Sequence, residues 1–188
     1  MVPPAKGRAG ANTWHSWFFC EGSTSAVTGP SGLRRSPGQL KHLDAVNIGA
    51  AGTFVIRRPV TRTQLRAELA RALPFDAGIV ICQGREIVGL MSRHHFAHLP
   101  VRPGIVRFVS ILSRRPRTTP STPMSFPSSG KWLLKILARD GRFVFGVYRR
   151  HMKVIGYLGT LDRLFGVPAT TRNWNTITAI ATVLRREG

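Results

Sequence analysis

Gly166-Val167-Pro168-Ala169-Thr170-Thr171-Arg172-Asn173-Trp174-Asn175-Thr176 compresses a helix stop, a rigid connector and a helix start into one run. Ile155, Leu158, Leu161 and Leu164 precede it at spacings of three, a helical rhythm that ends where glycine can take a left-handed cap and proline forbids continuation. Thr170 or Thr171 is placed to cap the next helix, whose Trp174, Ile177, Ile180, Ala181 and Leu184 share one face and turn it inward. Arg172 is then left in the first turn, where a cation opposes the helix dipole. Helix amides, two hydroxyls and a guanidinium converge in this reading, so Thr170, Thr171, Arg172 and Asn173 form the candidate anion site. The competing reading is structural, with threonine caps, asparagines bonded to backbone, and Trp174 filling a seam between two halves.

Upstream of the run, Trp132 to Ala138 and Phe143 to Tyr148 flank Asp140-Gly141, a strong two-residue hairpin signal. With Arg139 facing Arg142, Leu134, Ile136 and Ala138 fall opposite Val147, Phe145 and Phe143 on a dry face. The other face then carries Lys135, Arg139, Arg142 and Tyr148, and Arg149, Arg150 and Lys153 follow at once. Cations beside a stacking ring suit single-stranded nucleic acid; a hairpin edge guarded by charge against aggregation is the alternative. Gly104 to Leu112 reads as a buried strand. Residues 114–129 hold four prolines and no sustained apolar pattern, which predicts a long, mobile, basic loop whose Arg114, Arg115 and Arg117 could wrap the same ligand. His94 and His98 would share a helix face at metal-chelating spacing, with His95 pointing elsewhere. No carboxylate or cysteine stands beside them to complete a ligand set, so neither a metal nor a cofactor is expected.

The first half reads as a smaller repertoire of elements. Residues 1–12 are a flexible basic lead-in, and Trp14 to Cys20 is a strand with apolar residues at both parities, hence covered on both faces. Ser36 with Gln39 makes a capping box for a short helix through Leu43. Val46 to Ile48 and Thr53 to Arg57 are strands around the turn Gly49 to Gly52; that turn lacks a P-loop lysine and leads into a strand. Thr61 with Gln64 caps a helix that stacks Leu65, Leu69 and Leu73, and Gly78 to Cys82 closes the unit. The order β-α-β-β-α-β is ferredoxin-like. A short helix through Ile87, Val88, Leu90 and Met91 opens the remainder. The predicted architecture is α+β, with a ferredoxin-like half, residues 13–83, packed against a second, smaller α+β half, residues 84–188.

The run Gly166 to Trp174, with the short amphipathic helix after it, is similar to the C-terminal signature of the DUF-1697 family, a bacterial family of domains of unknown function. Val46-Asn47-Ile48-Gly49-Ala50-Ala51-Gly52-Thr53-Phe54-Val55-Ile56 resembles that family's strand, glycine turn and strand. The resemblance spans residues 14 to 184 and implies a ferredoxin-like α+β fold and no established reaction. It departs at Phe19 to Ser25, where Glu21 stands in place of the family's arginine.

Charge narrows the function classes. The 188 residues hold 28 Lys and Arg against 8 Asp and Glu, a formal charge of +20, so most cations have no internal partner and polyanions are favoured ligands. A largely solvated basic surface is the plainer explanation of the same count. The acidic residues are scattered, no nucleophile-elbow pattern occurs, and Cys20 and Cys82 read as small buried hydrophobes of a reduced compartment. With no membrane span and no signal peptide in the sequence, a cytoplasmic protein is expected. The leading expectation is a non-enzymatic protein that binds nucleic acid, DNA or RNA, through arginine–phosphate contacts with little sequence preference. The rival is a small-molecule site or enzyme in a pocket at the seam near Arg172, and a homo-oligomer is the third arrangement open to this composition.

Overall fold

Four short strands, β1 (Trp17–Glu21), β2 (Ala45–Asn47), β3 (Thr53–Ile56) and β4 (Ile79–Gln83), form an antiparallel sheet in the order β2-β3-β1-β4. The structure is a computed structural model that describes residues 17–21, 41–49, 52–72, 79–97, 99–100, 102–117 and 120–186. The basic lead-in, the Ser36 to Gln39 capping box, the centre of the Gly49 to Gly52 turn and His98 lie outside the described residues. Alternation along β3 separates two cores: Phe54 and Ile56, with Ile81 of β4, pack on Leu65 and Leu69 of helix α1 (Arg62–Ala72), while Val55, Val80 and Cys82 face the opposite way. The cap of α1 forms as its sequence dictates, with Thr61 N–H donating to Gln64 Oε1 at 2.9 Å and Gln64 N–H returning to Thr61 Oγ1 at 3.2 Å.

A second antiparallel sheet contains β5 (Ile105–Leu112), β6 (Met124–Phe126), β7 (Leu134–Asp140), β8 (Phe143–Arg149) and β9 (Ala169–Asn173), in the order β6-β7-β8-β5-β9. Helices α2 (Gly84–Met91) and α5 (Trp174–Arg185) share the central core with the facing sides of both sheets, where Ile87, Leu90, Ile177, Ile180 and Leu184 meet Val55, Val109, Ile111, Phe143 and Phe145. Two short helices, α3 (Val154–Gly159) and α4 (Leu161–Phe165), cover the outer face of the second sheet through Val154, Leu161 and Phe165. The α+β class holds. The second half is the larger of the two among the described residues, with five strands against four.

Several local expectations change once pairing is known. Gly166 does cap α4 at φ 64, but the rhythm before it is split at Thr160 into two helices, and Ile155 is 68% exposed instead of lying on the buried face. Residues 169–173, expected to cap and begin a helix, are strand β9: Val109 pairs with Arg172 and Ile111 with Thr170, so pairing with β5 overrides the capping tendency of the threonines. Asn173 caps α5 instead, its Oδ1 accepting from Thr176 N–H at 2.8 Å. The loop at 114–129 is interrupted by β6, an edge strand bracketed by Pro123 and Pro127. Helix α2 ends at Met91, so His94 sits in an exposed turn and not on a helix face.

The hairpin register also shifts by one. Asp140 pairs with Phe143, leaving Gly141 and Arg142 as the turn, and Gly141 at φ 59 is the glycine that a type II′ turn takes at its first position. A bulge at Leu137 then changes the parity of β7, so Ala138 and Lys135 belong to the face of Phe145 and Val147, while Leu134, Ile136 and Arg139 belong to the other. Lys135, Arg139, Arg142 and Tyr148 therefore do not share a face.

Candidate nucleic-acid interface

Among the described residues, only part of the inner face of the second sheet is roofed. Helices α2 and α5 cover Phe143, Phe145, Val109 and Ile111, and beyond them the same face continues through Val147, Arg107, Lys135 and Ile105 into a cleft of about 510 Å³. The segment containing Leu99, Pro100 and Arg102 forms one wall, and Asn173, Trp174 and Asn175 at the start of α5 form another. Four cations line it, Arg102, Arg107, Lys135 and Arg150, together with Trp132 and Trp174, and no carboxylate is among its described lining residues. The positive end of the α5 dipole adds to that potential.

Aromatic rings lie against two of these cations, Arg107 and Lys135, and against the neighbouring Arg149. Arg149 donates from Nε to the Trp132 carbonyl at 3.1 Å and sets its guanidinium carbon 4.3 Å from the Trp132 ring centroid, with Lys135 Nζ 5.0 Å from the same ring. Arg107 donates to the Leu99 carbonyl and lies 5.6 Å from the Phe96 ring centroid; Phe96 in turn meets Trp174 edge-on at 5.0 Å. The strand supplies position, the rings restrict rotamers, and less entropy is lost when an anion is bound.

Of the residues singled out from sequence, Lys135, Arg150 and Asn173 line the cleft and Arg149 packs on its Trp132. Tyr148 lies on the far face against Phe108, with ring centroids 5.9 Å apart, and Arg139 shares that far face, donating to the Gly141 carbonyl. Arg142 is a bolt between the sheets: it grips both oxygens of Glu86 at 3.0 Å and donates to the carbonyls of Ile81 at 2.8 Å and Leu112 at 3.3 Å. Arg114 borders a separate cavity of about 450 Å³ with Arg142, while Arg115, Arg117 and Lys153 are exposed elsewhere.

The anion site expected at the start of α5 is dispersed. Arg172 is 7% exposed, donates from Nε to Thr53 Oγ1 at 2.7 Å across the sheets, and donates from Nη1 to Thr170 Oγ1 and the Thr171 carbonyl, both at 2.8 Å. Thr171 shares a hydrogen bond of 2.5 Å with Ser110. These contacts hold the sheets together and are not the threonine caps of the structural reading, of which only the Asn173 bond to backbone forms. Sequence reasoning missed Arg102, Arg107, Trp132 and Trp174 as cleft residues; the one available signal was Arg107 inside an otherwise apolar strand.

Asp44, Glu68, Glu86, Asp140 and Asp162 lie outside the cleft lining and are engaged. Asp44 pairs with Arg57 at 2.6 Å, Glu68 with Arg71 at 3.2 Å and His42 at 3.3 Å, and Asp140 with Arg93. Asp162 accepts from Ala169 N–H at 3.1 Å; burial pushes its carboxyl above the usual range, and that backbone bond pulls it partly back. His95 stacks on Phe145 with centroids 3.7 Å apart, and burial holds its imidazole below its ordinary value, with Arg93 acting in the same direction and Asp140 against it. Among the described residues, no three His, Cys, Asp or Glu side chains are grouped to hold a metal ion, and no helix is long and apolar enough to cross a membrane. No family model, no curated protein and no solved structure matches this chain.

Proposed function

We propose that this protein binds nucleic acid without catalysing a reaction, engaging phosphates through the cations of the cleft with little sequence preference. The observation that carries the reading is the cleft's lining: four cations, two of them (Arg107 and Lys135) ordered against aromatic rings, two tryptophans and, among the described residues, no carboxylate. Negative charge is attracted there, and ring faces offer contacts that any base can use. The engaged state of Asp44, Glu68, Glu86, Asp140 and Asp162 is in keeping with binding and offers little for acid–base chemistry. The rival reading, a small-molecule site or enzyme at the seam near Arg172, has less support, because that guanidinium is buried and spent on Thr53 and Thr170. The strand order β2-β3-β1-β4 supports a ferredoxin-like reading of residues 13–83, and with it the resemblance to the DUF-1697 family.

Fluorescence anisotropy with labelled single- and double-stranded oligonucleotides over a range of salt tests the proposal. Affinity falls as salt rises, with a log–log slope of about −0.7 per single-strand phosphate neutralised. Absence of binding to every oligonucleotide at low salt removes the reading.

A further inference from the structure

The cleft does not end at Lys135. A second cavity of about 650 Å³ shares Lys135 and Leu137 with it and continues to Ser125 and Ser128 at the edge strand β6, again with no carboxylate among its described lining residues. The two cavities adjoin at the bulge, where Lys135 and Leu137 line both. Register explains their direction: Ser125 pairs with Lys135, Lys135 with Val147, and Val147 with Arg107, so these four residues form a row on one face across β6, β7, β8 and β5. Three interstrand steps make the row about 14 Å long, at right angles to the strands.

Along this row cationic and apolar character alternate. Arg107 and Lys135 are separated by Val147, Leu137 lies beside Lys135, and Ser125 supplies a hydroxyl at the far end. A strand of nucleotides presents a matching alternation, with phosphates to meet the cations and base faces to lie on the apolar floor. A duplex has its base faces stacked internally and cannot offer them to the apolar floor.

Resting on the nucleic-acid reading above, we infer that the ligand is single-stranded and crosses the second sheet along this row, from the start of α5 to β6, over a site of about four nucleotides. Trp174 stands at the entry and Trp132 beside the middle, so the cationic end of the row anchors the strand. The β6 end contacts it through hydroxyls and the apolar floor.

The test uses the full chain and oligothymidylates of two, four and eight nucleotides, with an eight-base-pair duplex as comparison. Affinity is expected to rise from two to four nucleotides and to change little from four to eight, with the duplex weaker than the single strand of equal length. Ser125→Glu and, separately, Ser128→Glu place a carboxylate at the β6 end; each is expected to weaken the four- and eight-nucleotide ligands about tenfold or more, while the dinucleotide, held at the cationic end, is little affected. Lys135→Gln weakens all three. If both glutamate variants remain folded by circular dichroism and bind the octamer like wild type while Lys135→Gln does not, the strand occupies the cleft alone and the crossing path is wrong. Equal affinity for duplex and single strand overturns the single-strand assignment. If wild type binds none of the oligonucleotides, the nucleic-acid reading fails and this path fails with it.

Discussion

Asp162 fastens the connector between α4 and β9 with one oxygen, since Oδ1 accepts the Ala169 N–H at 3.1 Å. Its carboxyl titrates above its ordinary value of 3.8 because burial disfavours the charge, and the backbone bond offsets only part of that. A raised folded-state value means that the fold prefers the neutral form. The associated stability is fully present below the unfolded value of 3.8 and is lost as pH rises through the folded one, so at neutral pH the ionised group weakens the fold. Asparagine keeps the accepting oxygen without the charge. Asp162→Asn is therefore expected to be at least as stable as wild type in urea melts at pH 7, and to lose any advantage below about pH 4. Asp162→Ala removes the acceptor and is expected to cost about 0.5–2 kcal/mol. Should asparagine prove as damaging as alanine at pH 7, the charge itself holds the connector. Arg172 shows the same logic from the cationic side: a guanidinium at 7% exposure that reaches Thr53 and Thr170 is structural whatever its motif.

Helix α5 connects element to site, because its N-cap Asn173 both accepts from Thr176 and lines the cleft. Asn173→Asp separates the two roles. A carboxylate caps as well as an amide and favours the helix dipole, so stability is expected to stay level or rise by up to about 1 kcal/mol. The same negative charge inside the cleft is expected to weaken oligonucleotide binding about tenfold, read by anisotropy beside a thermal melt. Unchanged binding by a stable variant would place the ligand elsewhere. Local signals predicted elements well: the Gly166 cap, the Thr61 capping box and the buried stripe of α5 each depend on residues within a few positions of one another. They predicted faces poorly. Nothing around Leu137 marks a bulge, which lies in the pairing with β8, and that one residue moves Arg139 away from Lys135. Pairing with β5 likewise turned Thr170 to Arg172 from a cap into a strand. The cleft was legible only in pieces, because register across three strands brings Arg107 to Lys135 through Val147, and no local pattern encodes register.

At the scale of the whole molecule, a formal charge of +20 acts in opposite directions on folding and on binding. In the folded state the cations repel one another, and 8 Asp and Glu against 28 Lys and Arg relieve only part of this through pairs such as Glu86 with Arg142 and Asp140 with Arg93. Screening therefore favours the compact state. The same screening removes the counterion-release gain on which phosphate binding depends. Raising salt from roughly 0.02 to 0.5 M, which shortens the screening length from about 20 Å to a few ångströms, is expected to raise Tm while affinity for a single-stranded oligonucleotide falls by orders of magnitude. The measurement is a pair of titrations on one sample, melting by circular dichroism and binding by anisotropy. A fall in both together would mean that salt is loosening ion pairs which hold the fold, the Arg142–Glu86 bolt first among them. Glu86→Gln separates that case from self-repulsion, because the salt dependence of Tm then changes with the bolt and not with the overall charge.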